Sequence, residues 1–332
     1  MTPRRTAVVV TGTGIVLPGI RDAAGLLTAR HGDADGRVGP ERLPSGRQAR
    51  FKDRATLLAL SAGEAALTDA GLLVDGSLTV PGSTTGTVAS SNLGSLETVC
   101  RAAETVGRAG SAGLRVMDLP NACSNAVASG LAIRFGLHGV NLMLCNGATS
   151  GLDAVGWAAS AIAAGRARRV LVAGTEPADP VVRHLAAGND GGRLLDGAAA
   201  LVLESADAAA ERGRRPLATV TGRSRRRDVT AAAEQAGATE GTGLWLPPAG
   251  HPPGAPSPPH HAVLDLGRVL PPASGAFGVL QCVAATAWLA AGHPPGVPPT
   301  ALAVAGGGPA DDAAAAVLLT VAPPEATPEG EG

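Results

Sequence analysis

The sequence predicts an α/β fold, and three observations carry that prediction. Short apolar runs rich in Val and Leu alternate with longer runs of helical periodicity. Gly and Pro stand at the joints between them. Of the 332 residues, 45% are hydrophobic but only 2% aromatic, with no Tyr, so the core must be built from Ala, Val and Leu in close helix–sheet contact. A chain of this length holds one large domain or two halves.

The elements follow in order. Val8-Val9-Val10 reads as a buried strand, with Thr11-Gly12-Thr13-Gly14 as the turn at its end. That turn could open a dinucleotide-binding fingerprint, but Leu17 stands where the third Gly belongs and Gly19 comes too late. Asp33 and Asp35 lie in a Gly-rich polar loop and do not end a strand, and the absence of Tyr removes short-chain dehydrogenase chemistry. Arg54 to Ala70 is a helix with Leu58, Ala62, Ala65 and Ala66 on its apolar face, stopped by Gly71. Ser95 to Arg108 is a second helix. Asn121 to Leu137 is a third, with Asn121 as N-cap after Pro120. The apolar run Val140 to Cys145 is a strand, the run Leu152 to Ala164 a helix, and Val170-Leu171-Val172 the next strand. A second half begins near Asp196 with a strand to Glu204, a helix to Arg212 and a strand Leu217 to Gly222. That last strand ends as Val8 to Gly12 does. Pro247 to Pro259 is too Pro-dense for regular structure and forms an exposed loop. Pro323 to Gly332 is a frayed tail.

The joint between residues 145 and 152 carries the chemistry. A strand, the turn Asn146-Gly147-Ala148-Thr149-Ser150-Gly151 and a helix N-terminus make a nucleophile elbow. Such a turn lifts one side chain toward the helix's free N–H groups, which favour negative charge. The tip calls for Cys or Ser, and it is Ala148.

Several segments together resemble the β-ketoacyl synthases. They are Val8 to Gly19, Gly139 to Leu142 running into Gly147 to Gly151, Ala163 to Ala167 with Val170 to Glu176, Asp196 to Glu204 with Arg212-Gly213, and Gly275 to Gln281. The resemblance implies a thiolase-like layered fold of two similar α/β halves, residues 1–195 and a shortened 196–322, with the tail at 323–332. It also implies a site with a Cys nucleophile, two His and a Lys. Here the Cys position is Ala148. The first His position, before Gly241-Thr242-Gly243, is Glu240, and the second, three residues before Gly275, is Pro272. The Lys would fall near Gly267, and the chain's one lysine is Lys52. Decarboxylation needs donors on the developing enolate, so a chain lacking all four groups is expected to be non-catalytic on its own.

Replacements were sought among the remaining residues. Cys145 sits in an apolar run and reads as a buried strand residue, and Cys123 near a helix start has no base beside it. Ser150 serves the turn. His184, His260 and His261 lack metal-ligand spacing. No cofactor or metal is expected.

Degenerate members of this kind resemble the chain length factors of type II polyketide synthases. The resemblance implies a heterodimer with an active ketosynthase subunit, made through Asn141–Cys145 and the helix 121–137. It implies indirect contact with an acyl carrier protein and its growing chain. Val116, Leu119 and Cys123 would line the chain tunnel, their spacing placing them on one helical face if the helix starts early. The usual replacement for the Cys is Gln; the Ala and the shortened second half point instead to a factor for reduced, polyene-type chains. Two alternatives are an acyl-carrier-binding scaffold and an acyltransferase or hydrolase with a relocated nucleophile at Cys145 or Ser150. A net charge of −1 gives no support for nucleic-acid binding. No uninterrupted apolar run approaches the ~18 residues of a membrane span. Four Cys without CxxC spacing fit a reducing cytoplasm.

Overall fold

The computed structural model describes residues 6–46, 49–186, 193–238 and 241–322. The expected tail lies outside the described residues. Ten strands form one hydrogen-bonded sheet. We number them β1 (Val8–Val16), β2 (Thr85–Ser90), β3 (Asn141–Leu144), β4 (Arg169–Glu176) and β5 (Gly197–Ser205). They continue as β6 (Ala218–Arg226), β7 (Thr242–Leu246), β8 (His260–Val263), β9 (Thr300–Gly306) and β10 (Ala314–Thr320). The main helices are α1 (Arg54–Asp69), α2 (Leu96–Ala109), α3 (Ala126–Phe135), α4 (Ser150–Ala163), α5 (Ala206–Glu211), α6 (Val229–Ala236) and α7 (Phe277–Ala291).

The strand order is β8-β7-β9-β10-β6-β1-β5-β4-β2-β3. It reads the same outward from its centre, where β1 meets β6 antiparallel. From β1 the strands run β5, β4, β2, β3; from β6 they run β10, β9, β7, β8. The directions repeat as well. In each set the first two pairings are antiparallel and the last two parallel. The chain is therefore two copies of one α/β unit, as expected. Strand β5, which follows the division expected at 195/196, pairs within the first set, between β1 and β4.

Alternation along the strands divides the core into three. On β4, Val170 and Val172 point to one cluster and Leu171 and Ala173 to another. On β10, Val317 and Leu319 join the first cluster, while Ala316 and Leu318 join a third. The shared cluster is filled by α4 and α7, from Leu152, Val155 and Ile162 to Val279, Leu280 and Val283. The outer clusters lie under α1 and α3 on one side and under α6 on the other. This gives five layers, helix–sheet–helix–sheet–helix. Residues 274–291 are long and apolar enough to cross a membrane, but 72% of that stretch is buried as the central helix.

Small residues make the layers fit. A Cβ added at Gly151 would lie 2.8 Å from the Gly278 backbone N, and one at Gly278 would lie 2.4 Å from Leu152 N. The first turns of α4 and α7 thus touch backbone to backbone. The expected turn at Gly12–Gly14 is instead the middle of β1, with a bulge at Val10/Gly12. Its glycines let α1 lie directly on the strand: a Cβ at Gly14 would meet Ala62 O at 2.3 Å.

Helix α1 starts where Asp53 accepts a hydrogen bond from Thr56 N at 2.7 Å. The helix expected at 121–137 begins five residues late, at Ala126. Leu119–Ala122 form a 3-10 turn around Pro120, and Cys123 is extended (φ −81°, ψ 140°). Asn121 caps no helix; its amide donates to Phe51 O.

Two buried carboxylates tie the first unit together. Glu204 on β5 accepts from Thr11 Oγ1 at 2.6 Å, Arg169 Nε at 2.8 Å and Arg212 at 2.5 Å. Asp196 accepts from Arg54 Nε at 2.6 Å, Val38 N at 2.8 Å and Ala178 N at 3.1 Å. Burial pushes the Asp196 carboxyl up, but the Arg54 guanidinium and the two N–H groups outweigh it and hold it below the usual range.

Candidate functional site

The elbow forms as the sequence predicts. Strand β3 ends at Leu144, Gly147 takes a left-handed φ of +68°, and a 3-10 turn over Gly147–Thr149 leads into α4. Ala148 sits at its tip, half-buried. The turn is held from below. Ser150 Oγ accepts from Asn146 N at 2.6 Å and lies 2.8 Å from Gly147 O and 3.0 Å from Asn92 Oδ1. Asn92 in turn donates to Gly147 O at 2.9 Å and to Ser274 Oγ at 2.7 Å. Ser150 is fully buried and engaged on every side, so its hydroxyl serves the turn.

Cys145 corrects an expectation. It is exposed, just beyond β3, because β3 is the sheet's edge strand and Leu142 is open to solvent there. Partial burial of its thiol, and then the Glu176 carboxylate, push its pKa up, which disfavours the thiolate. Cys123 is exposed too; its Sγ lies 3.8 Å from Leu119 O.

Sequence reasoning missed Glu176. It ends β4 fully buried and accepts four hydrogen bonds, from Asn92 N at 2.7 Å, Gly275 N at 2.8 Å, Ser91 Oγ at 3.0 Å and Leu93 N at 3.1 Å. Burial raises its pKa to about 7 against the pull of those donors. An acid closing an otherwise apolar strand was the one sequence signal for it.

Of the assigned positions, the fold brings two together. Pro272 leads into the 3-10 turn Ser274–Ala276, which Asn92 links to the elbow. Glu240 itself lies outside the described residues, but Gly241-Thr242 open β7. Strand β7 runs parallel to β9, with Leu246 opposite Ala303. The far end of β9 reaches the elbow: a Cβ at Gly306 would touch the Thr149 methyl at 2.7 Å. Thr242 is therefore roughly 13 Å upstream of the end that faces the site. The segment that faces it is Pro247 to His251. Gly267, the Lys position, packs against Ala249.

The tunnel residues do not share a helical face, since no helix covers 116–123. Val116 is 77% and Leu119 46% exposed. Phe51, Val99, Met117 and Leu142 are exposed as well, and Leu119 shares a surface pocket with Phe51. Among the described residues, no group of three or more His, Cys, Asp or Glu could hold a metal.

A two-unit, five-layer α/β fold with an elbow at the start of a central helix defines the thiolase-like class. The family model for the β-ketoacyl synthase N-terminal domain matches residues 43–209, just over half of the chain. The chain belongs to the β-ketoacyl synthase family. Its structure is similar to "the ishigamide ketosynthase/chain length factor", at 25% identity and TM-score 0.72 over 96% of this chain and 100% of that one. It is also similar to a type II polyketide synthase acyl-carrier protein in complex with its ketosynthase bound to the hexaketide (AntDE:AntF), at 19% identity and TM-score 0.77. A β-ketoacyl synthase from Burkholderia phymatum STM815 aligns at 18% identity and TM-score 0.74. Each of these two also covers 96% of this chain and 100% of its own, and shows the fold alone. A comparison with curated protein sequences gives no match.

Proposed function

We propose that this protein is the non-catalytic partner of an active ketosynthase and acts as a chain length factor. The observation that carries the reading is Ala148 at the tip of an otherwise intact elbow. An alanine offers no lone pair to an acyl group, and neither Ser150 nor Cys145 is placed to replace it. The open edge of the sheet gives the reading its second support. Strand β3 is the sheet's edge and its Leu142 is exposed, an edge that a partner subunit would cover. The likeness to a ketosynthase/chain length factor agrees with it. Contact with an acyl carrier protein, the polyene-type subtype and a cytoplasmic setting belong to the same proposal.

The test is co-expression with an intact ketosynthase, followed by size exclusion and malonyl-carrier turnover. A heterodimer is expected, and the single chain should neither condense nor decarboxylate. Ala148→Cys alone should leave the chain inactive, because Glu240 and Pro272 stand at the two positions assigned to the histidines that stabilise an enolate. Turnover by the isolated chain near the rate of an intact synthase would refute the reading.

In such a complex Val116, Leu119 and Cys123 would close the tunnel from the covered face. Leu119→Trp and Cys123→Phe should then shift products to shorter chains and spare the first condensation. An unmoved length distribution in variants that assemble normally would remove these residues from the tunnel.

A further inference from the structure

The outward stripe of α4 lines a groove that the elbow does not use. Asp153, Gly156, Trp157 and Ser160 stand at helical spacing on one face, opposite Val155, Ala158 and Ile162 in the core. They face Arg223 to Arg225 on β6 and Ala316 on β10. Two hollows meet there, of about 320 Å³ and 540 Å³, and share Asp153, Trp157 and Arg225. Both volumes are within the range of about 300–1,000 Å³ typical of small-molecule sites. Trp157 stands in the wall of both and is 56% exposed, whereas Trp245 lies in the core at 5%.

The two ends of the groove differ in charge. One is anchored by Asp153, whose side chain is 8% exposed. Its Oδ2 accepts from Thr149 Oγ1 at 2.8 Å and Asn146 Nδ2 at 3.1 Å, and Arg225 Nε lies 3.5 Å away. Its Oδ1 takes no hydrogen bond among the described residues and is not sealed from solvent. Asp312 adds a second carboxylate, 3.3 Å from Arg225. Two carboxylates against one guanidinium leave this end negative. Arg223 makes the other end positive, and its Nε donates to Ser160 Oγ at 3.2 Å. Helix α4 rises about 10 Å from Asp153 to Ser160, and β6 spans about 7 Å from Arg225 to Arg223, so the charged ends stand about 7–10 Å apart. The wall between them is apolar, made by Leu152, Gly156, Trp157 and Ala316.

We infer that this groove binds a small linear zwitterion, an ω-amino acid. Its ammonium donates to Asp153 Oδ1 with Asp312 beside it, its methylenes lie along Gly156 and Trp157, and its carboxylate accepts from Arg223. An ammonium near the indole also gains from the ring quadrupole. A chain with a single charge satisfies one end only. An α-amino acid carries both charges on one carbon and cannot span the two ends. The site lies on α4 and β6, away from the β3 edge, and does not depend on the pairing proposed above.

Calorimetric titration of the full chain with 6-aminohexanoate, hexanoate and hexylamine tests this. The zwitterion should bind saturably at one site, at least about tenfold more tightly than either singly charged chain, a difference of about 1.4 kcal/mol. Arg223→Gln should bring its affinity down to that of hexylamine. A Cβ at Gly156 would meet only Arg223 Cδ, at an ordinary 3.9 Å, so Gly156→Leu should fold and abolish binding by filling the slot. The inference is overturned if the wild-type chain shows no saturable binding of 6-aminohexanoate, or if hexanoate or hexylamine binds as well. Unchanged affinity in Arg223→Gln overturns the assigned contact, and unchanged affinity in Gly156→Leu overturns the groove as the site.

Discussion

Replacing Glu204 with Gln is expected to lower stability by about 3–5 kcal/mol, the usual consequence of stranding a buried charge. The Arg169 side chain is only 6% exposed and has this carboxylate at 2.8 Å. Arg212 meets the other oxygen at 2.5 Å. An amide keeps the shape but leaves two guanidiniums in the sheet without a counter-charge. The loss should come from the uncompensated charge and not from the missing pair. Replacing all three partners, Arg169→Met and Arg212→Met with Glu204→Leu, should therefore recover much of it. Urea midpoints of the three proteins decide this. A Glu204→Gln midpoint matching wild type would mean that water or backbone groups satisfy the arginines.

The second large effect is a pH dependence set by Glu176. Burial raises its pKa from 4.5 to about 7, so between those values the folded chain holds a proton that the unfolded chain has released. Stability from this group is then fully present below pH 4.5, declines as pH rises toward about 7 and stays low above it. The decline is on the order of 3 kcal/mol. Asp196 has the opposite sign. Its carboxyl is held below the usual range, so its contribution is present above its unfolded value and lost in acid. Unfolding free energies at pH 5 and pH 8 should show the loss in wild type and a flat profile in Glu176→Gln. Equal slopes in the two proteins would mean that another group titrates.

Much of the fold was legible because its signals are local. Val170-Leu171-Val172 alternates between two cores, and that period of two is visible in sequence. The apolar run, the Gly147 turn and the helical run gave the elbow its place and exposed Ala148 as its tip. The start of α3 was less legible. Asn121 after Pro120 looks like a cap, but contact with Phe51 draws it into a separate turn. Cys145 looked buried because its neighbours are apolar. Only the strand order shows that those neighbours line an open edge.

The site divides in the same way. That Ala148 stands at the tip of the elbow is a property of one residue in one local motif, so the sequence by itself determined it, along with the α/β class and the two-unit plan. Which second-unit segment faces that residue is a property of strand direction. Gly241-Thr242 carries the motif, yet the parallel pairing of β7 with β9 turns that end away and brings Pro247 to His251 forward. The four donors on Glu176 come from two segments, 91–93 and Gly275, far apart in the chain. Their meeting, like the groove beside Trp157, was decided only by the tertiary structure, because long-range pairing sets which strand ends share a space.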